Sequence, residues 1–135
     1  MKSLTVFLLF PANAGAVCLN GYPTVQKGYT LSKLVFTGRV VQDRRTAGNS
    51  GYFDLEGDTY TVIPTNAYKG ETKAEVGLFS ENSSGRFPMQ VGQEYLLFAY
   101  EDHGRLIVDN CGNSNLISHS EVPLKRSLNF LGKGK

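Results

Sequence analysis

Tryptophan is absent from the 135 residues, and cysteine, histidine and methionine occur only twice each. Two histidines without ligand-type spacing, His103 and His119, fall short of a tetrahedral metal set. They also argue against hydrolase chemistry, which needs a nucleophile and a base held together. His103 sits in an Asp-His-Gly turn and His119 just before the tail, places where solvent-facing histidines are far commoner than catalytic ones. Cys18 and Cys111 form no CxxC pair, which disfavours a zinc knuckle or a dithiol redox motif. Neither sign of charge is in excess: 14 basic against 12 acidic residues leave a formal +2. That balance speaks against nucleic acid or an anionic membrane as the main partner. Asp54, Glu56 and Asp58 alternate without the glycine and spacing of a calcium loop and read as a solvated acidic loop. Neither an enzyme nor a cofactor nor a metal is expected, and no repeat or low-complexity segment is present.

What the chain does have is glycine (15), phenylalanine (8) and tyrosine (7), with 41% apolar residues overall. That composition favours a turn-rich β protein with a single core over a helical bundle. Its length is a prior for one domain.

Residues 1–16 resemble a secretory signal: Lys2 as the positive end, Leu4 to Phe10 as the apolar run, and Ala14-Gly15-Ala16 as a small-x-small cleavage site. The alternative is a core strand, TVFLLF. Pro11 ends the run well short of the ~20 apolar residues a membrane-spanning helix needs, so no span is expected. Val17 directly before Cys18 disfavours a lipoprotein anchor. The mature domain is then 17–135, exported to a periplasmic or extracellular space. In an oxidising compartment two lone cysteines most simply pair, the alternative being two unrelated thiols. A Cys18–Cys111 bridge would close a loop of ~90 residues, worth roughly 4–5 kcal/mol as an upper figure.

The central stretch is Val91 to Cys111. Tyr95 to Tyr100 is an apolar, aromatic run too short for a helix; Glu101 to Gly104 supplies a turn, with Gly104 free to take positive φ; Leu106 to Val108 is a second strand. Earlier strands are expected over Leu34 to Gln42, Asp58 to Tyr68 and Ala74 to Ser80. Gly38 predicts a bulge or sharp coil, and Pro64 an edge or bulge, because proline cannot donate to a ladder. Leu19 to Gly28 reads as irregular, with a short helical turn over Tyr29 to Lys33. Asp43 to Gly57 reads as a long solvated loop with Arg44 and Arg45, in which Tyr52 and Phe53 keep a binding role open. In the tail, Ser120 as N-cap, Pro123 in the first turn and Leu124, Leu128 and Leu131 at i, i+4, i+7 predict an amphipathic helix stopped by Gly132. The fold class is therefore all-β with a short C-terminal helix, a five-stranded OB-fold-like barrel. Phe36, Tyr60, Phe98 and Tyr100 are candidate stacking platforms for single-stranded nucleic acid, but aromatics in strands are mostly core.

Four stretches then carry a resemblance: Leu34-Val35-Phe36-Thr37-Gly38-Arg39-Val40-Val41, Tyr68-Lys69-Gly70, Gly92-Gln93-Glu94-Tyr95-Leu96-Leu97 and Asn110-Cys111-Gly112-Asn113-Ser114. Their order and spacing resemble the netrin-like modules, which share an OB-like barrel with the N-terminal domains of the tissue inhibitors of metalloproteinases. The resemblance spans roughly Cys18 to Leu131 and carries the fold further than the activity, since one fold hosts many functions. In the inhibitors a terminal cysteine of a C-x-C pair chelates the protease zinc through its amine and carbonyl. This chain has one cysteine there. Cys111 resembles the partner of the second member, which matches Cys18 to that member and puts the chelating position at Ala16.

Two functions stay open: a secreted, non-catalytic module that binds a protein, and a metalloproteinase inhibitor acting through the segment around Cys18. The expected partner is an extracellular or envelope protein, a metalloprotease under the second reading. The expected binding residues are Val17, Cys18 and Leu19, then Asn82, Ser83, Ser84 and Arg86 of the polar loop, and Asn113. Arg86 leads because a guanidinium pairs bidentately with a carboxylate. Asn82-Ser83-Ser84 also matches the N-glycosylation sequon.

Overall fold

The computed structural model describes residues 18, 21–46, 57–118 and 122–133, with the backbone alone at 46, 122–124 and 133. The N-terminal segment 1–16, Val17 and Leu19 lie outside these residues with the expectations attached to them. So do the loop tip with Tyr52, Phe53, Asp54 and Glu56, and His119 and Ser120.

The elements are α1 (Val25–Leu31), β1 (Leu34–Thr46), β2 (Gly57–Lys69), β3 (Val76–Glu81), β4 (Glu94–Asp102), β5 (Arg105–Ile107), β6 (Asn115–Leu116) and α2 (Val122–Lys133). The order β1-β2-β3-β5-β4 closes on itself because β1 also pairs with β4. β3 and β5 pair in parallel at Phe79 and Ile107, while the other neighbours are antiparallel. The result is a closed, five-stranded mixed barrel with a short C-terminal helix, the expected OB-like architecture. Two-residue β6 lies on β4.

The β1–β4 seam explains why Leu34 to Phe36 and Tyr95 to Tyr100 read as unbroken apolar runs. Leu34, Phe36, Tyr95, Leu97 and Ala99 point into the barrel with Val40, Tyr60, Val62, Leu78 and Val108. Val35, Leu96 and Phe98 point outward, where Val25 of α1 and Leu131 of α2 cover them. Both faces are buried, so alternation of polar and apolar residues disappears. Three of the candidate stacking aromatics, Phe36, Tyr60 and Phe98, lie in these two cores.

At Gly38 the register with β2 slips, Thr37 facing Asn66 and Gly38 facing Pro64. A Cβ on Gly38 would stand 2.5 Å from Val62 Cγ1 and 2.9 Å from the Ile63 carbonyl oxygen, so β1 can coil closely over β2 only with glycine there. Pro64 is tolerated because β3 pairs with β2 only as far as Val62, leaving this part of β2 at an open edge. The β4–β5 turn places both His103 (φ 51) and Gly104 (φ 78) in the left-handed region, the pattern of a two-residue type I′ hairpin that follows the strand twist.

Several boundaries differ from expectation. α1 begins four residues earlier than the expected turn, at Val25, with the Thr24 hydroxyl accepting from Lys27 N–H at 3.1 Å. Gly28 does not break it: a Cβ there would lie 2.4 Å from Asn113 Nδ2, so the glycine admits the segment after Cys111. β1 runs on to Thr46 and β2 starts at Gly57, which shortens the expected loop, and β3 starts at Val76 rather than Ala74. Val108 leaves β5 but still donates to the Phe79 carbonyl at 3.0 Å. α2 passes through Gly132 to Lys133.

Candidate functional site

Cys18 and Cys111 are joined by a disulfide, with their Cα atoms 5.6 Å apart and a separation of 93 positions in sequence. The bridge delivers the start of the described chain to the exit of the β5 segment, where other bonds hold the same place. Asp109 takes the Tyr100 hydroxyl on Oδ2 at 2.7 Å and Cys111 N–H on Oδ1 at 3.0 Å. Burial first, and then that hydrogen bond and charge, push the Tyr100 phenol well above its ordinary pKa, so it stays a donor. Asn113 Nδ2 donates to the Thr24 carbonyl at 3.3 Å, and Ser114 Oγ accepts from Phe98 N–H at 2.9 Å. The segment 109–114 is thus pinned to α1, to β4 and to Cys18.

The polar loop joins from the other side. Asn110 N–H donates to the Gly85 carbonyl at 3.0 Å and its Nδ2 to the Ser84 carbonyl at 3.2 Å. Ser83 shapes the turn, its Oγ accepting from Gly85 N–H at 3.2 Å and its carbonyl from Arg86 N–H at 3.1 Å. The structure therefore brings Cys18, Ser83, Ser84, Cys111 and Asn113 to one surface, with Asn82 exposed beside them.

Arg86 turns away from that surface. Its guanidinium meets the buried Asp58 carboxylate at 3.0 Å, and Asp58 Oδ2 also takes the Tyr60 hydroxyl at 3.1 Å. Tyr60 in turn accepts from Met89 N–H at 3.2 Å. The carboxylate expected of a partner is here supplied within the chain. Nearby Asp43 has its pKa raised, first by desolvation and next by the Asp58 charge, with Arg86 and Arg45 acting against them.

A groove of about 670 Å³ opens between the segment before α1, residues 110–115 and α2. Tyr22 and Phe130 stand at its walls, 71% and 36% exposed, and Gln26, Asn113 and Arg126 line it. The sequence reading missed Tyr22, Arg126 and Phe130. Arg126 and Phe130 are four residues apart and off the Leu124–Leu128–Leu131 stripe, a second helical face that periodicity alone marks as solvent.

Asp102 is the neighbour of His103, at 2.7 Å in the exposed hairpin turn. Among the described residues no cluster of three or more His, Cys, Asp or Glu could hold a metal ion, and no helix is long and apolar enough to cross a membrane. Compared with protein-family models and with curated proteins, the chain matches none.

Proposed function

We propose that this protein is an exported, non-catalytic binding module that holds a protein partner on the surface around the Cys18–Cys111 bridge. One observation carries the reading: three segments distant in sequence, the irregular segment before α1, the 82–86 loop and residues 109–115, are cross-tied into one surface. Ordering such a surface in advance lowers the entropy a partner must overcome on docking. The signal-like 1–16 segment and the disulfide support export. The OB-like barrel supports a place beside the netrin-like modules.

The inhibitor alternative has no specific observation in its favour. Cys18 is in the bridge and its carbonyl oxygen accepts from Gly21 N–H at 2.8 Å, while Ala16, which matches the chelating position, falls outside the described residues. Intact mass of the mature protein bears on it directly: a chain starting at Val17 removes the inhibitor reading, and one starting at Cys18 restores it.

The test of the surface is recovery of a partner from the native extracellular or periplasmic fraction. Asn82→Arg with Ser84→Arg changes two exposed side chains on the surface and should lose the partner; Lys73→Glu, on a different cavity wall, should keep it. Equal recovery by all three proteins overturns the assignment. Arg86→Glu is unsuitable, since it would set a second carboxylate against buried Asp58.

A further inference from the structure

We infer that the groove between α1 and α2 takes an extended peptide segment of the partner, one that carries a single carboxylate held by Arg126. The inference rests on the protein-binding reading above and names the chemistry of what is bound.

Charge decides it first. Among the described residues of the groove lining Arg126 is the one charged side chain, and none is a carboxylate. Among the described residues Arg126 is exposed and has no hydrogen-bond or ion-pair partner, unlike Arg86, Lys33 and Lys69. A planar guanidinium left open beside neutral amides suits one bidentate carboxylate.

The walls come second. Tyr22 and Phe130 offer exposed aromatic surface on either side of Arg126's groove, area that apolar side chains flanking the carboxylate would cover. The lining also holds side-chain amides with unspent capacity. Asn113 uses Nδ2 on Thr24 and keeps Oδ1; Gln26 has no side-chain partner; Asn115 uses Oδ1 on Leu116 N–H and keeps Nδ2. Amides offering donor and acceptor match the alternating N–H and C=O of an extended main chain. The volume, about 670 Å³, lies within the range of sites that enclose a compact ligand. A uronate polymer also carries carboxylates, but on sugar after sugar, and the described lining of this groove has a single cation to meet them.

The experiment uses the full oxidised chain, nitrogen-15 labelled. The probes are a pool of blocked pentapeptides with central glutamate flanked by leucine, phenylalanine or tyrosine, the same pool with glutamine, and oligogalacturonate. The glutamate pool should shift the amides of residues 110–115 and the Arg126 side chain, and bind about tenfold or more tightly than the glutamine pool. Arg126→Gln should bring the two pools level, while Arg126→Lys keeps part of the difference, each with an unchanged melting midpoint. Equal binding of both pools, no binding of either, or preference for oligogalacturonate overturns the inference. If Arg126→Gln still recovers the native partner as well as wild type does, this groove is not the site, yet the binding-module reading stands on the 82–86 loop result.

Discussion

Asp58 has almost no access to water, 6% exposed, and its Oδ2 serves both the Tyr60 hydroxyl and the Arg86 guanidinium. Removing one partner of such a pair leaves a buried charge short of its compensation, which costs more than the pair itself contributes. Arg86 is partly exposed, so water recovers some of that cost. Arg86→Ala is therefore expected to destabilise the fold by about 1–3 kcal/mol in urea unfolding, and Asp58→Asn in the same chain should return part of the loss. Unchanged stability in Arg86→Ala would mean that the pair contributes nothing. Asp43 tests the same corner through pH. Its folded pKa is raised, by desolvation first and by Asp58 second, so the folded state favours the protonated form. That contribution is fully present below the unfolded value and is lost as pH rises through the folded one. Asp43→Asn should therefore gain stability relative to wild type as pH rises from 3 to 7, by at most about 0.5 kcal/mol for so exposed a group. A gain that instead shrank with rising pH would reverse the assignment.

β4 shows at the level of an element what one strand does for two cores. Leu97 lies in the barrel interior and Phe98 under the helices, adjacent in sequence and on opposite faces. Phe98→Ala should cost roughly 3–5 kcal/mol and Leu97→Ala roughly 2–5. Hydrogen exchange separates them: Phe98→Ala should open α1 and α2 ahead of the strands, whereas Leu97→Ala should lower protection around the barrel. Identical exchange patterns would mean the helix layer has no core of its own. That β4 was buried on both sides was legible in the run Tyr95 to Tyr100, which is apolar without alternation. The bulge at Gly38 and the turn at Gly104 were legible for the same local reason, since the residue type itself reports the backbone. α1 was misread because Gly28 looks like a breaker until Asn113, 85 positions away, is seen lying on it. β6 was not legible, being two residues long and defined wholly by pairing with Tyr95 and Leu96. The site divided along the same line. Cysteine number and the signal-like N-terminal segment pointed to the bridge, while the polar loop's place beside it comes from bonds of Asn110 that no local pattern shows. The groove with Tyr22, Arg126 and Phe130 is assembled by tertiary packing and leaves no mark in local pattern.

For the molecule as a whole, the question is whether the bridge stabilises the barrel or holds the surface. The barrel has its own closure: β1 and β4 pair over six residues, from Leu34 with Ala99 to Arg39 with Glu94, and neither cysteine belongs to that ladder. Cross-linking residues 93 apart acts chiefly by restricting the unfolded chain, worth about 2–4 kcal/mol after native strain is allowed for. Against roughly 5–15 kcal/mol for a domain, its loss should leave a folded but weakened protein. Cys18→Ser with Cys111→Ser is thus expected to keep its β-sheet circular dichroism and lose about 2–4 kcal/mol in urea unfolding. In the oxidised wild type, labelling under denaturing conditions should find no free thiol. A purely unfolded-state effect lowers protection everywhere to the same degree. If the bridge also orders the proposed surface, the amides of 21–24 and 109–115 must lose more protection than the β1–β4 ladder, because Asn113 with Thr24 and Asn110 with the 82–86 loop are then the ties that remain. Uniform loss would confine the bridge to stability, and the double variant should then recover a partner as well as wild type does.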